Sequence, residues 1–304
     1  MTGKVYLVGA GPGDPGLLTL RGQQCLQIAD VVLHDRLVDQ RILTEVQAKA
    51  ELVDVGKARG KQHLSQESIN TMLVDLASRG KQVVRLKGGD PFIFGRGGEE
   101  ALALIQAGVN FEVVPGVTSA VAAPAYAGIP LTHRGISASV VVVSGSEDPN
   151  KEDGQIDWKA LASHDGTLVI LMGWQPLPEI VKVLLANGRN PKTPAALIEW
   201  GTLTHQRTVV GTLDNIASKG QEAGLGPPVI AVVGDVVSLR NSLSWFDSRP
   251  LHNKRILITR DRFQSRALSQ ILAQRGATPV ELPTIEIAPA ENLNTLDEAL
   301  HHIH

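Results

Sequence analysis

The stretch KVYLVGAGPGDPGLLT, residues 4–19, decides how this chain is to be read. Five residues of strand character, 4–8, run into the glycine-rich turn GAGPGDPG at 9–16, and a helical stretch over about 17–29 follows. A strand that enters such a turn and leaves as a helix opens a βαβ unit, because glycine lets a ligand approach the backbone at a helix N-terminus. Position alone suggests a dinucleotide site, and Asp35, at the end of the next strand, imitates the carboxylate that holds a ribose hydroxyl. The details oppose that reading. Asp14 stands where the fingerprint has its third glycine and would repel a pyrophosphate, while Pro12 and Pro15 remove two amide donors. A nicotinamide-dependent oxidoreductase is therefore the weaker alternative.

Outward from this turn, apolar runs of strand length alternate with stretches of helical period, the pattern of an α/β protein with a largely parallel sheet. Strands are expected at 31–34, 51–55, 82–86 and 111–114. A helix is expected over 65–79, where Ile69, Met72, Leu73, Leu76 and Ala77 form one apolar stripe that Gly80 ends. The second half repeats the style with strands near 139–143, 167–171, 195–199 and 229–233, and with more loop between them. The polar run 147–154 reads as a surface excursion. The expected organisation is an α/β domain at 1–115, a second at 116–245, a linker at 246–253, and a βαβα segment at 254–304. About fifty residues cannot close a sheet alone, so that last segment reads as an incomplete α/β unit.

Two further segments carry chemistry. In RLKGGDPFIFGRGGEE, residues 85–100, Gly88 and Gly89 bring backbone close to a ligand, Asp90 offers a carboxylate, and Phe92, Ile93 and Phe94 form an apolar wall. That mixture suits S-adenosylmethionine, which has an adenine, a ribose, an amino-acid end and a sulfonium but no phosphate. In VPGVTSAVAAPAYAGIPLTHRG, residues 114–135, small side chains permit close approach by a bulky ligand or by a neighbouring helix, and Thr118 and Ser119 add hydroxyls. Arg96 and Arg134 sit by glycine-rich turns, where a guanidinium can take a carboxylate in bidentate fashion or lie solvated at the surface.

Composition narrows the function classes. The 29 lysines and arginines against 31 acidic residues give a net charge of −2, which offers no general attraction to nucleic acid or to a membrane surface. No apolar run reaches membrane-spanning length, and the first residues lack an export signal. The single cysteine, Cys25, permits no intrachain disulfide and no cysteine-based metal cluster, which fits a reducing cytoplasm. No metal site is expected.

Taken together, YLVGAGPGDPGLLT at 6–19, ADVVLHDRLV at 29–38, HLSQESIN at 63–70, the two segments above and LMGW at 171–174 resemble the tetrapyrrole methylase superfamily, and within it the branch that methylates uroporphyrinogen III. The likeness covers about residues 3–245. It implies a fold of two α/β domains with the active site in the cleft between them, usually within a homodimer. It also implies C-methylation of uroporphyrinogen III at C2 and C7 by S-adenosylmethionine, giving S-adenosylhomocysteine and precorrin-2 for sirohaem or cobalamin synthesis. Cofactor-contacting positions carried over by the resemblance are Pro12, Gly88, Gly89, Asp90, Ile93, Thr118, Ser119, Met172 and Gly201. Asp35 and Lys57 match the proton acceptor and donor, and Arg96, Glu99 and Arg134 match substrate-handling positions. His34 departs from the tyrosine that relatives often carry beside the acidic residue. Residues 254–304 resemble the beginning of uroporphyrinogen III synthase. Another precorrin methylase is the nearest alternative of the same class, and a non-catalytic binding module that retains the fold is the rival from another class.

Overall fold

The structure is a computed structural model, and it describes residues 3–56, 64–151, 154–285 and 294–302. The chain forms two compact units, residues 1–247 and 248–304.

Within the first unit one five-stranded sheet is built from β1 (Lys4–Gly9), β2 (Val31–His34), β3 (Glu51–Asp54), β4 (Gln82–Lys87) and β5 (Asn110–Val114). Its order is β3-β2-β4-β1-β5 and every pairing is parallel. The central strands are apolar on both sides, as strands covered by helices must be. Val5, Leu7, Val31, Leu33 and Val83 pack on α3 (Gln66–Ser78) and α4 (Gly97–Gln106). Tyr6, Val8, Val32, Val84 and Leu86 pack on the opposite side, against α1 (Leu20–Ile28) and Ile42 of α2 (Gln40–Leu43). Helix starts follow from local chemistry. The Thr19 hydroxyl accepts from the Gly22 amide at 3.0 Å and the Ser65 hydroxyl from the Ser68 amide at 3.0 Å, each satisfying a donor that the first helical turn leaves free. The helix expected from residue 17 begins at Leu20, because Pro15–Leu17 first forms a short 3-10 turn capped by Asp14.

One feature of this order positions the site. β1 and β4 are neighbours, yet the helices that follow them, α1 and α4, lie on opposite faces. Their outgoing loops therefore diverge, and a crevice opens at the carboxyl edge between them, which is where α/β sheets bind ligands. The register sets Gly9 level with Lys87 and His34 level with Leu86, so Asp35, Gly88 and the first glycine turn share that edge.

The second sheet of the unit has β6 (Val140–Ser144), β7 (Thr167–Leu171), β8 (Pro194–Glu199), β9 (Arg207–Thr212) and β10 (Val229–Val233), in the order β6-β7-β10-β8-β9. Helices α6 (Trp158–Ala162), α7 (Leu177–Ala186) and α8 (Ile216–Glu222) cover one side. Helix α5 (Ser119–Tyr126) and the 3-10 turn Asp235–Leu239 cover the other, and α9 (Arg240–Leu243) follows. Here the expectation of a parallel arrangement is corrected. Only β6 and β7 run parallel, while β7–β10, β10–β8 and β8–β9 are antiparallel. β9 itself was absent from the expected strands, since RTVVGT is a half-exposed edge strand with only two apolar residues in its middle. Phe246, expected in a linker, is buried and packs against Tyr126 in a tilted pair at a ring-centroid distance of 4.8 Å.

The second unit pairs β11 (Arg255–Ile258) in parallel with β12 (Thr278–Glu281), joined through α10 (Arg262–Gln274) and followed by α11 (Asn294–His301). A two-stranded sheet buries little apolar surface. Ile258 and Ala277 are enclosed, whereas Leu257 and Leu282 stay more than half exposed.

Candidate active site

The two glycine-rich loops are joined by their backbones. The Gly89 amide donates to the Gly11 carbonyl at 2.8 Å, the Gly11 amide to the Gly89 carbonyl at 3.1 Å, and the Ala10 amide to the Lys87 carbonyl at 2.8 Å. Pro12, next to Gly11, is thereby held beside Gly88 and Gly89. A third strand end enters the same junction. A methyl at Gly116 would lie 2.3 Å from the Gly89 carbonyl oxygen and 2.7 Å from the Gly9 Cα, so only glycine lets three backbones cross here. Asp90 locks the arrangement. Its Oδ1 accepts from the amides of Phe92 at 2.8 Å and Ile93 at 3.1 Å, and its Oδ2 from that of Gly116 at 3.0 Å. The carboxylate that the sequence offers to a ligand thus also serves the loop, through both of its oxygens.

Gly88 is different. Its backbone needs no positive φ, and a methyl there would meet only the Leu37 Cβ at 3.8 Å. Neither packing nor conformation calls for glycine at 88, so the open space is what the residue provides. Gly89 stands with φ near 68°, with the Thr118 Cα and Ser119 amide 3.8 and 3.9 Å from where its methyl would be. Thr118 caps α5, its hydroxyl accepting from the Ala120 amide at 3.3 Å, and Ser119 is the first residue of that helix. Gly201, by contrast, is fixed by packing, since a methyl there would fall 2.3 Å from the Ala123 Cβ of α5. Met172 projects from the turn after β7 with φ of 56°, and Ile93 is likewise exposed on its loop.

Asp35 meets this cradle from the side of β2. Its Oδ2 accepts from the Gly88 amide at 3.4 Å, and its Oδ1 accepts from Arg85 Nη2. Arg85 also donates from Nε to Glu100 Oε1 at 3.0 Å. That oxygen further takes Lys87 Nζ at 2.8 Å and Gln66 Nε2 at 3.2 Å. Arg85, Lys87 and Glu100 are buried. Burial, foremost, and the neighbouring Arg85 cation push the Lys87 ammonium below the usual lysine range. His34 does not orient the Asp35 carboxylate, because its ring Nδ1 lies 3.3 Å from the Asp35 backbone carbonyl instead.

The remaining expected residues are dispersed around this centre. Arg96 and Glu99 pair with each other through two contacts, at 2.8 and 2.7 Å, at the exposed start of α4. Hydrogen bonding to Arg96 holds the Glu99 carboxyl below its ordinary range. Arg134 lies in the exposed turn closed by the His133–Ser137 bridge. Lys57 lies outside the described residues. Reasoning from sequence missed the buried Arg85, Lys87 and Glu100 group. Its signal is two cations, Arg85 and Lys87, at alternate positions of a central strand whose neighbouring members Val83, Val84 and Leu86 are apolar.

The cradle fits S-adenosylmethionine on its own features: an unfilled space at Gly88, hydroxyls at Thr118 and Ser119, and an apolar rim at Ile93 and Met172. Among the described residues no group of three or more histidine, cysteine, aspartate or glutamate side chains could hold a metal ion, and no helix is long and apolar enough to cross a membrane.

Fold and crevice together define a class of α/β proteins that hold a small, phosphate-free ligand at the carboxyl edge of a parallel sheet. Residues 4–217 match the family model described as Tetrapyrrole (Corrin/Porphyrin) Methylases, and the chain belongs to that family. It is 52% identical over 241 residues to the S-adenosyl-L-methionine-dependent uroporphyrinogen III methyltransferase of Methanosarcina barkeri, a match covering 79% of this chain and 94% of that one. It is 42% identical over 301 residues to the uroporphyrinogen-III C-methyltransferase of Bacillus subtilis, covering 99% of this chain and 62% of the relative, so the chain spans under two thirds of that protein. Among solved structures, the uroporphyrin-III C-methyl transferase of Thermus thermophilus complexed with S-adenyl homocysteine superposes with a TM-score of 0.67 at 43% identity, covering 78% of this chain and 99% of that one.

Proposed function

We propose that this protein transfers methyl groups from S-adenosylmethionine to carbon atoms of uroporphyrinogen III, at C2 and C7, giving precorrin-2. The observation that carries the reading is the placement of the Asp35 carboxylate beside the open Gly88 position at the carboxyl edge of the first sheet. The names of the Methanosarcina and Bacillus relatives and the S-adenosylhomocysteine bound in the Thermus structure support it.

When bound, S-adenosylmethionine supplies an electrophilic methyl on a sulfonium. The chain's own residues do the rest. Gly88 and Gly89 leave room for it, Thr118 and Ser119 offer hydroxyls, and Pro12, Asp90, Ile93, Met172 and Gly201 shape the walls. A pyrrole carbon that gains a methyl leaves its ring cationic until a proton departs from an adjoining carbon. Asp35, a partly open carboxylate at the edge of the cradle, stabilises that cation and takes the proton. Lys57 serves as donor or as partner for a substrate carboxylate. Uroporphyrinogen carries eight carboxylates, which Arg96, Glu99 and Arg134 sort at the exposed rim. Much of the rate comes from holding donor and pyrrole in line. A homodimer in the cytoplasm, serving sirohaem or cobalamin synthesis, completes the proposal. It is supported by the family resemblance, by the single cysteine and by relatives named siroheme synthase.

An anaerobic assay of S-adenosylhomocysteine release tests this reading. Release is expected to require uroporphyrinogen III, and Asp35→Asn is expected to lower turnover by about 10²-fold or more while changing S-adenosylhomocysteine affinity little. Release that ignores uroporphyrinogen III, or full turnover in the variant, contradicts it.

A further inference from the structure

We propose that Arg85 is a positioning residue for methyl transfer, acting through Asp35; this rests on the reading of Asp35 as the proton acceptor. The inference starts from an oddity of β4. Arg85 occupies the middle strand of a five-stranded parallel sheet, on a face otherwise filled by Leu7, Leu33 and Val83. A guanidinium there loses its water, and apolar residues of similar volume would hold the sheet as well or better. Sheet stability therefore gives no reason for it.

Its contacts do. Arg85 uses all three nitrogens: Nη2 to Asp35 Oδ1, Nε to Glu100 Oε1 at 3.0 Å, and Nη1 to the carbonyls of Leu86 at 3.2 Å and Leu33 at 3.4 Å. A planar group held along four directions cannot swing. Glu100 is braced in turn by Lys87 from β4 and by Gln66 from α3. Exposure runs one way along this chain of contacts. The side chains of Glu100, Lys87 and Arg85 are 0%, 2% and 4% exposed, and that of Asp35 is 33%. A purely structural ion pair would close at both ends. Here the buried end supports, and the open end presents one carboxylate beside Gly88, with its second oxygen on the Gly88 amide. Without Arg85 the carboxylate loses the one side-chain donor it has among the described residues and turns toward solvent, away from the adjoining carbon whose proton it receives.

The test is a double-mutant cycle with Asp35→Asn and Arg85→Met. It reads kcat and KM for uroporphyrinogen III, together with S-adenosylhomocysteine affinity by calorimetry. Arg85→Met alone is expected to lower kcat by about tenfold or more, with KM and cofactor affinity within about twofold of the parent. In the Asp35→Asn background the same change is expected to cost less than about twofold, because the group it positions is gone. Arg85→Lys, whose single ammonium can pair with Asp35 or with Glu100 but cannot span both, is expected to lower kcat less than Arg85→Met does. It carries the same cycle should Arg85→Met fail to fold. Equal losses in both backgrounds, or an unchanged kcat in either Arg85 variant, overturn the inference while leaving Asp35 in its role. Full turnover of Asp35→Asn alone overturns the proton-acceptor reading and this inference with it.

Discussion

The hydroxyl of Tyr126 donates to Asp14 Oδ2 at 2.8 Å and so ties the first glycine turn to helix α5 of the second sheet. Asp14 is committed on every side. Its Oδ1 accepts from the Gly16 amide at 2.8 Å and its own amide donates to Thr202 Oγ1 at 3.1 Å. The residue that spoils a dinucleotide fingerprint is the one that fastens the two halves of the first unit together. Tyr126→Phe removes one donor to a charged acceptor and is expected to destabilise the protein by about 1–3 kcal/mol. Urea denaturation measures this, and an unchanged midpoint contradicts it.

Asp90 serves three amides with two oxygens, so its charge and its shape both matter. In Asp90→Asn one oxygen becomes an NH2 group, which meets either the Gly116 amide or those of Phe92 and Ile93 donor to donor. A loss of about 2–3 kcal/mol is expected, with weaker S-adenosylhomocysteine binding because the loop carrying Gly88 and Gly89 loosens. Calorimetry and thermal unfolding check both effects, and full affinity in this variant contradicts the role given to the lock.

Glycines in the site loops divide into those that packing demands and those it does not. Gly116→Ala puts a methyl against the Gly89 carbonyl and is expected to cost about 3 kcal/mol or more. Gly98→Ala, in the first turn of α4 with no atom within 4 Å of the new methyl, is expected to be neutral or to stabilise by up to about 1 kcal/mol. Paired melting curves decide, and a similar loss in both variants contradicts the packing account.

Glu112 accepts from Arg21 and Lys4, and these hydrogen bonds pull its carboxyl down to about 2. A carboxyl lowered on folding adds stability above its unfolded value, near 4.5, and that gain fades as pH falls towards 2. The Glu112→Gln difference in melting temperature is therefore expected to be full at pH 6 and to close in acid. Arg21 is about half exposed, so the difference amounts to about 2 °C and shrinks in high salt. A difference that is constant from pH 6 to pH 3 contradicts the pairing.

Where a residue's role depends on its neighbours in sequence, the chain was legible. Hydrophobic runs placed β1, β2, β4 and β10 to within a residue or so, and the helix expected from Ser65 starts there with Ser65 as its cap, whereas the Thr19 cap was not read and α1 begins three residues later than expected. Each of the glycine-rich loops, at 9–16 and 85–100, was legible as a loop after a strand, while only the family resemblance put Pro12, Gly88 and Gly89 on one cofactor; the Gly11–Gly89 bridge holds the two loops together. Roles set by distant partners were not legible. Nothing near Asp90 in sequence announces the Gly116 amide, nothing near Arg85 announces Asp35, and strand direction in the second sheet depends on loops that local pattern does not fix. The departure at His34 from the tyrosine of relatives suggested an effect on how Asp35 is oriented, yet successive residues at a strand end face opposite ways, and the ring nitrogen lies by the Asp35 backbone carbonyl.

The central claim is C-methylation of uroporphyrinogen III, and the mass of the tetrapyrrole product measures it most directly. Incubated anaerobically with S-adenosylmethionine carrying a labelled methyl group, uroporphyrinogen III is expected to gain two labelled methyls, with two molecules of S-adenosylhomocysteine released for each tetrapyrrole consumed. A uroporphyrinogen III that leaves the reaction with its mass unchanged, while a later precorrin gains the label, contradicts the account.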